Sequence, residues 1–146
     1  MATIKTRADY YKDTEYFCQH NINPTYQEGK RYEKGDCVVR AFATAADITW
    51  LEAFDLLVEH ARETYNMPDY ATSYEDVFKG FGFEAKSPKV VRGRKRMNVE
   101  DFCKTHKKGR FIVKVAHHLT AVVDGICYDQ WNCANKCVYK YYELKK

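Results

Sequence analysis

The stretch 118–131, HLTAVVDGICYDQW, predicts a β-hairpin and the strand register around it. The Asp-Gly dipeptide at 124–125 is a strong signal for a two-residue turn, and residues of strand-forming type alternate on both sides of it. With that turn, Val123 faces Ile126 in the neighbouring strand. Because successive side chains of a strand point to opposite sides, the register assigns every residue of the hairpin to one of two surfaces.

The two surfaces of the predicted hairpin differ in chemistry. One surface is uniformly apolar, and we expect it to face the core; its residues are Leu119, Ala121, Val123, Ile126 and Tyr128. The other surface includes polar groups; its residues are His118, Thr120, Val122, Cys127, Asp129 and Trp131. On this surface His118 and Asp129 are diagonal neighbours, roughly 7 to 8 Å apart at Cα and within side-chain reach. Trp131 lies opposite His118, where it can shield that contact from water.

His118 and Asp129 have the chemistry of a general base and the carboxylate that orients it. A carboxylate that binds one ring nitrogen fixes the tautomer of the imidazole, and the other nitrogen can then take a proton from a nucleophile. An ordinary cross-strand polar pair is the simpler interpretation. The adjacent His117 shares the apolar surface by parity and is the weaker candidate, unless a bulge near residues 116–117 reverses the choice.

The stretch 33–42, EKGDCVVRAF, supplies a candidate nucleophile. Cys37 stands where an apolar helical pattern begins, and the free N–H groups and dipole of a helix start lower the pKa of a thiol. The alternative is an inert thiol in the core. With His118 and Asp129 downstream, we predict a Cys-His-Asp arrangement with Cys37 as the nucleophile. One turn later, Arg40 is expected either to touch substrate or to form an exposed salt bridge.

The remaining pattern predicts an α+β fold, in which helices are followed by an antiparallel sheet. Thr49 with Glu52 forms a capping box, and Asn98 is a second helix cap. We predict helices over 36–65 (two helices), from Ser73 and from Asn98 to Gly109, and strands at 110–115, 118–123, 126–131 and 137–144. We expect one domain over 1–146, with a polar N-terminal arm at 1–30, a basic connector at 86–97 and the sheet at 110–144.

Composition and charge narrow the classes of function. The chain has 146 residues, no signal-type apolar segment at its start and no run long enough to span a membrane, so we expect a cytoplasmic protein with reduced thiols. Ten of its 24 basic residues lie between Lys86 and Arg110. A solvated connector is the expected explanation, an acidic partner is possible there, and nucleic acid is not expected, because no zinc-finger, P-loop or RNP-type motif accompanies the charge.

Three segments resemble the papain-like cysteine peptidases in a compact form. They are GDCVVRAFATA (35–45), GRFIVKVAHHLTAVVDG (109–125) and ICYDQWNC (126–133). The chain is similar in this respect to bacteriocin-processing (double-glycine) peptidase domains and to small phage-type relatives, over roughly residues 30 to 144. The resemblance implies a helical N-terminal half whose central, Cys-bearing helix packs on the C-terminal sheet. It implies Cys37 as nucleophile, His118 as general base and acid, and Asp129 as orienter.

The same family usually carries a glutamine a few residues before the cysteine, whose amide helps to bind the oxyanion. This chain departs from that pattern, because Arg31 stands six residues before Cys37 and the nearest glutamine is Gln27, ten residues before. Gln27 can serve if the loop 28–35 bulges outward. Otherwise Arg31 or another donor fills the role.

The sequence therefore predicts a cytoplasmic hydrolase (host cytoplasm, if phage-encoded) that cleaves a peptide, isopeptide or related amide bond in a protein or peptide substrate. The alternative is a catalytically weak or inactive protein of the same fold that binds or inhibits a partner through its basic surface. No cofactor is expected. Metal binding is the third interpretation, but the spacing of Cys103 and His106, Cys127, and Cys133 and Cys137 does not match a structural zinc site, so no metal is expected.

Overall fold

The computed structural model describes residues 6–145, which form a mixed six-stranded sheet with four α-helices, an α+β fold. A short 3-10 helix, Arg7–Tyr11, precedes them. The helices are α1 (Cys37–Ala46), α2 (Trp50–Thr64), α3 (Ala71–Phe81) and α4 (Val99–Thr105). The strands are β1 (Phe17–Gln19), β2 (Phe83–Lys86), β3 (Arg110–Val115), β4 (His118–Val123), β5 (Ile126–Asp129) and β6 (Lys140–Leu144).

The sheet is larger than the predicted one and is not wholly antiparallel. Its strand order is β1-β5-β4-β3-β6-β2, and β1 pairs parallel with β5 whereas the other neighbours are antiparallel. The prediction of an antiparallel sheet over 110–144 therefore holds for four strands but omits two. The predicted strands over 126–131 and 137–144 are also shorter in the structure, because residues 130–139 form the connection between β5 and β6.

The register predicted for the hairpin is confirmed around its turn. Val122 pairs with Cys127 and Val123 pairs with Ile126, on either side of Asp124 and Gly125. Both turn residues have positive φ values, 49° and 80°, as a type I′ turn requires. The side chains therefore alternate between the two faces of the sheet as the sequence pattern predicts.

The helix starts follow their caps. The Thr49 hydroxyl accepts a hydrogen bond from the Glu52 N–H at 3.1 Å, and the Glu52 carboxylate accepts one from the Thr49 N–H at 3.0 Å, so the predicted capping box is present. Asn98 caps α4 by accepting from the Asp101 N–H at 2.8 Å. The last helix is shorter than predicted and ends at Thr105.

Both faces of the sheet are buried, whereas the sequence indicated one core face. Helix α1 packs with Leu119 and Ala121 on one face. Helix α4 and the β5–β6 connection cover the other face, where Val122 and Cys127 are buried with them. A surface with a few polar groups can still be buried when those groups bind one another, as His118 and Asp129 do here. Within residues 6–145, no helix combines the length and apolar character that a bilayer span requires.

Candidate active site

His118 and Asp129 are in direct contact at the edge of the buried face. His118 is the first residue of β4 and Asp129 is the last residue of β5. The His118 Nε2 lies 2.6 Å from the Asp129 Oδ2, and the two side chains are only 9% and 3% exposed. The predicted diagonal pair is therefore formed, and its burial makes it stronger than an exposed cross-strand pair.

His117, in contrast, does not share the core face. It is an exposed turn residue with φ 55°, because residues 116 and 117 connect β3 to β4 in a two-residue turn in which Val115 pairs with His118. The expectation from parity is wrong here, since alternation applies only within a strand and the turn interrupts it.

Trp131 lies against the imidazole, as the hairpin pattern predicts. The Trp131 and His118 ring centroids are 4.9 Å apart with an interplanar angle of 37°. Tyr10, in the short 3-10 helix, also packs edge-on against the indole, with the ring centroids 6.2 Å apart. The N-terminal arm therefore holds Trp131 in the position that shields the His118–Asp129 hydrogen bond from water.

Cys37 is the first residue of α1 and is partly buried beside His118. Burial alone would raise the pKa of the Cys37 thiol, but hydrogen bonds with the His118 side chain and with the backbone at Leu119, together with the charges of His118 and Arg40, lower it. Because Nε2 of His118 is bound to Asp129, Nδ1 is the ring nitrogen left for the sulfur. The arrangement favours the thiolate.

The pKa values of His118 and Asp129 shift in the directions that favour the charged forms of both side chains. Burial disfavours the imidazolium, yet hydrogen bonds with Asp129 and Cys37 raise the pKa of His118 to about 10. Burial likewise opposes ionisation of Asp129, but His118 and Arg40 lower its pKa. A thiolate, an imidazolium and a carboxylate in line are thus mutually stabilising.

The pKa values of three other thiols shift in the direction opposite to that of Cys37. Burial raises the pKa of Cys18, and burial also raises that of Cys103 to about 12. A hydrogen bond with Cys127, together with burial, raises the pKa of Cys133 well above the ordinary range. These environments favour the neutral thiol, which is a poor nucleophile.

Arg40 forms salt bridges, as one of the two expectations had it, but they are buried rather than exposed. Its side chain is 11% exposed, and its guanidinium bridges two carboxylates: Nε lies 2.8 Å from the Asp36 Oδ1 and NH1 lies 3.1 Å from the Asp129 Oδ1. Arg40 therefore holds the oxygen of Asp129 that His118 does not use. It joins Asp36, which precedes Cys37 in the chain, to Asp129, the partner of His118.

Asp36 belongs to the candidate site but was not among the residues that the sequence pattern indicated. Besides Arg40, its carboxylate accepts hydrogen bonds from the Asn23 amide at 3.0 Å, the Trp50 indole at 2.9 Å and the Tyr32 hydroxyl. The spacing of Asp36 and Arg40, four residues apart at a helix start, is an ion-pair pattern visible in the sequence. The hydrogen bonds that join Asp36 to Asn23, Tyr32 and Trp50 correspond to no pattern visible in the sequence.

Gln27 lies in the exposed loop that precedes α1. The Gln27 side chain is exposed and forms no hydrogen bond with any residue in the range 6–145, and its backbone carbonyl closes a turn by accepting from the Lys30 N–H at 3.1 Å. Arg31 is also exposed and pairs with Glu33 at 2.8 Å. Within residues 6–145, neither side chain forms a hydrogen bond with Cys37 or His118, and the role of either as an oxyanion donor stays a prediction.

One group of side chains resembles a metal-ligand set. Ligand atoms of His118, Asp129 and Cys133 lie within 4.8 Å of one another. However, the ligand atoms of His118 and Asp129 are only 2.6 Å apart, which is a hydrogen-bond distance. Two ligand atoms that each lie about 2 Å from one tetrahedral zinc ion are farther apart than this.

The basic connector at 86–97 is largely irregular. Apart from Lys86, the last residue of β2, it contains no helix or strand. Arg96 stacks over the Tyr139 ring with its guanidinium carbon 4.8 Å from the ring centroid, which ties the end of the connector to the β5–β6 connection.

Comparison with known proteins adds no assignment. No family model matches this chain, and neither a curated protein nor a solved structure matches it. Function must therefore be inferred from the geometry of the site.

Proposed function

We propose that this protein is a papain-like cysteine hydrolase that cleaves a peptide, isopeptide or related amide bond through Cys37, His118 and Asp129. The observation that carries the proposal is the buried contact of His118 Nε2 with Asp129 at 2.6 Å. It is supported by the pKa of Cys37, which burial raises but which interactions with His118, with the Leu119 backbone and with Arg40 lower overall. A helix-borne cysteine beside an imidazole and a buried carboxylate supports a thiolate nucleophile rather than a structural pair.

In the acylation step, the Cys37 thiolate attacks the carbonyl carbon of the scissile amide and forms a C–S bond. The His118 imidazolium then gives its Nδ1 proton to the leaving nitrogen as the C–N bond breaks. Asp129 keeps Nε2–H in place, which fixes the ring orientation throughout. The products are a free amine and a thioester on Cys37.

In the deacylation step, His118 is neutral and takes a proton from water, whose oxygen attacks the thioester carbon. The C–S bond breaks, the carboxylic acid leaves, and the Cys37 thiolate and His118 imidazolium are restored. The first helical hydrogen bond of α1 runs from the Arg40 N–H to the Asp36 carbonyl, so the N–H of Cys37 lies in the first turn, where helical N–H groups have no carbonyl within the helix to bind. It is therefore our candidate donor to the oxyanion in both steps.

The proposal is tested by measuring the alkylation rate of each cysteine with iodoacetamide at pH 7, using peptide mapping by mass spectrometry. We expect Cys37 to react faster than Cys18 and Cys137, the other part-exposed thiols. His118→Ala should slow the reaction of Cys37, because without the imidazole the thiol pKa rises and the thiolate fraction at pH 7 falls. His117→Ala is the matched control and should leave the rate unchanged.

Acyl transfer is tested separately with p-nitrophenyl acetate. We expect a burst of nitrophenolate and an acetyl adduct on Cys37, both lost in Cys37→Ala. A Cys37 that reacts no faster than Cys18, with no effect of His118→Ala, would refute the hydrolase and favour the alternative of a binding protein on this fold.

A further inference from the structure

A cavity of about 650 Å³ lies beside Trp131, on the side of the site formed by the N-terminal arm. It is bounded by the 3-10 helix through Arg7 and Tyr11, by residues 29–33, and by Gln130 and Trp131. We refer to it as the Trp131 cleft. Trp131 links it to the candidate catalytic group, because this lining residue also packs on the His118 ring, with the two ring centroids 4.9 Å apart.

The walls of the Trp131 cleft are held by contacts between distant parts of the chain. The Asn132 N–H donates to the Tyr10 carbonyl at 2.6 Å, which joins the 3-10 helix to the segment after β5. The Asn21 amide donates to the Gln130 Oε1 at 2.9 Å. The cleft is therefore part of the folded structure rather than a gap between independent loops.

The charge of the Trp131 cleft is positive. Its lining contains the cations Arg7, Lys30 and Arg31 and one carboxylate, Glu33, which is paired with Arg31 at 2.8 Å. Arg7 and Lys30 have no ion pair with any carboxylate in the described range 6–145. The half-exposed ring of Tyr11 and the indole of Trp131 add apolar surface between these charges. Such a surface suits a flexible anionic chain with carboxylate side groups.

The position of the cleft relates it to one side of the scissile bond. In the hydrolase proposed above, on which this inference rests, His118 donates a proton to the leaving amine, so the leaving part of the substrate lies on the His118 side of the thiolate. Trp131 lies on His118, and the cleft extends from Trp131. A substrate segment in the cleft is therefore the segment that follows the scissile bond.

We infer that the Trp131 cleft binds an acidic peptide segment on the carboxyl-terminal side of the bond to be cleaved, with Arg7 and Lys30 as its specificity-determining residues. Carboxylates of the segment form charge-assisted hydrogen bonds with the guanidinium and ammonium groups, and its stem carbons pack on Tyr11 and Trp131. Selectivity comes from charge, so binding weakens as salt rises.

The test measures binding without catalysis, by fluorescence anisotropy of a fluorescein-labelled octaglutamate peptide with Cys37→Ala protein at low ionic strength. We expect saturable binding that added salt weakens, and no binding of octalysine. Arg7→Glu with Lys30→Glu should lower the affinity about tenfold or more. The matched control is Arg94→Glu with Lys95→Glu, which makes the same change of net charge in the basic connector and should alter the affinity less than about twofold.

Any of three results would overturn the inference. The first two are no binding of octaglutamate, and octalysine binding as tight as that of octaglutamate. The third is an equal loss of affinity in the cleft and connector variants, which would show that binding depends on the connector or on net charge. Melting temperatures check that the variants fold. If the variant with Arg7→Glu and Lys30→Glu does not fold, the variant with Arg7→Gln and Lys30→Gln replaces it. The outcome is independent of the hydrolase proposal, because Cys37 is absent. Cleft-dependent binding together with slow Cys37 alkylation in the wild type would count against the hydrolase alone.

Discussion

Arg40 offers the sharpest test of how the site is held together. Arg40→Met removes the guanidinium that lies 2.8 Å from Asp36 and 3.1 Å from Asp129, and leaves two buried carboxylates without their shared cation. Removing one partner of a buried pair costs about 3 to 5 kcal/mol. Asp36 keeps three neutral donors and Asp129 keeps His118 and the Gln130 N–H, so we expect the lower end, a loss of about 3 kcal/mol in the free energy of unfolding.

The assay is equilibrium unfolding in urea. With a slope of about 1.5 kcal/mol per molar urea, the loss lowers the midpoint by about 2 M at pH 7. Arg31→Met is the matched control, since Arg31 also lies 2.8 Å from its partner, Glu33, but the two side chains are 82% and 67% exposed. An exposed pair contributes less than about 1 kcal/mol, so this control should barely move the midpoint.

The pH dependence distinguishes an electrostatic effect from lost packing. Burial opposes ionisation of Asp36 and Asp129, but their partners, Arg40 included, lower the pKa of each. The ionised carboxylates therefore add stability above the unfolded pKa of about 3.9, and this contribution is lost as the pH falls through the lower native values. In Arg40→Met the native pKa values rise, so the difference from wild type should shrink as the pH falls toward 3. Equal losses for Arg40→Met and Arg31→Met, or a difference that is constant with pH, would refute the reasoning.

Two further predictions concern the reacting groups. The pH profile of Cys37 alkylation should have its midpoint below about 8.5, the ordinary pKa of a thiol. His118→Ala should move this midpoint upward, because the imidazolium stabilises the thiolate. A midpoint that is the same in His118→Ala and in the wild type would contradict this. Asp129→Ala should lower the alkylation rate at pH 7 about tenfold or more. Asp129→Asn should lower it less, because an amide oxygen still accepts a hydrogen bond from His118, although the amide NH2 group then faces the Arg40 donor. Equal, small losses in both variants would remove Asp129 from the proposed catalytic group.

Local signals in the sequence were sufficient for the pairing of His118 with Asp129. The turn at 124–125 sets the register, and from the register the diagonal position of the two side chains follows without knowledge of the rest of the chain. The same reasoning failed one residue earlier, at His117, because a second two-residue turn at 116–117 has no such dipeptide signal. The start of α1 at Cys37 was likewise predicted from its local pattern.

What the sequence alone determined, then, is the part of the molecule set by neighbours along the chain: the helix starts, the β4–β5 register, and the imidazole and carboxylate that the register brings together. Only the tertiary structure decided the rest. Strand β1 pairs parallel with β5, Tyr10 packs on Trp131, and Arg40 reaches Asp129, a residue 89 positions away. Such contacts depend on how distant segments pack, and packing leaves no periodic mark on either segment, so a buried Asp36–Arg40–Asp129 bridge reads in the sequence as three ordinary charged residues.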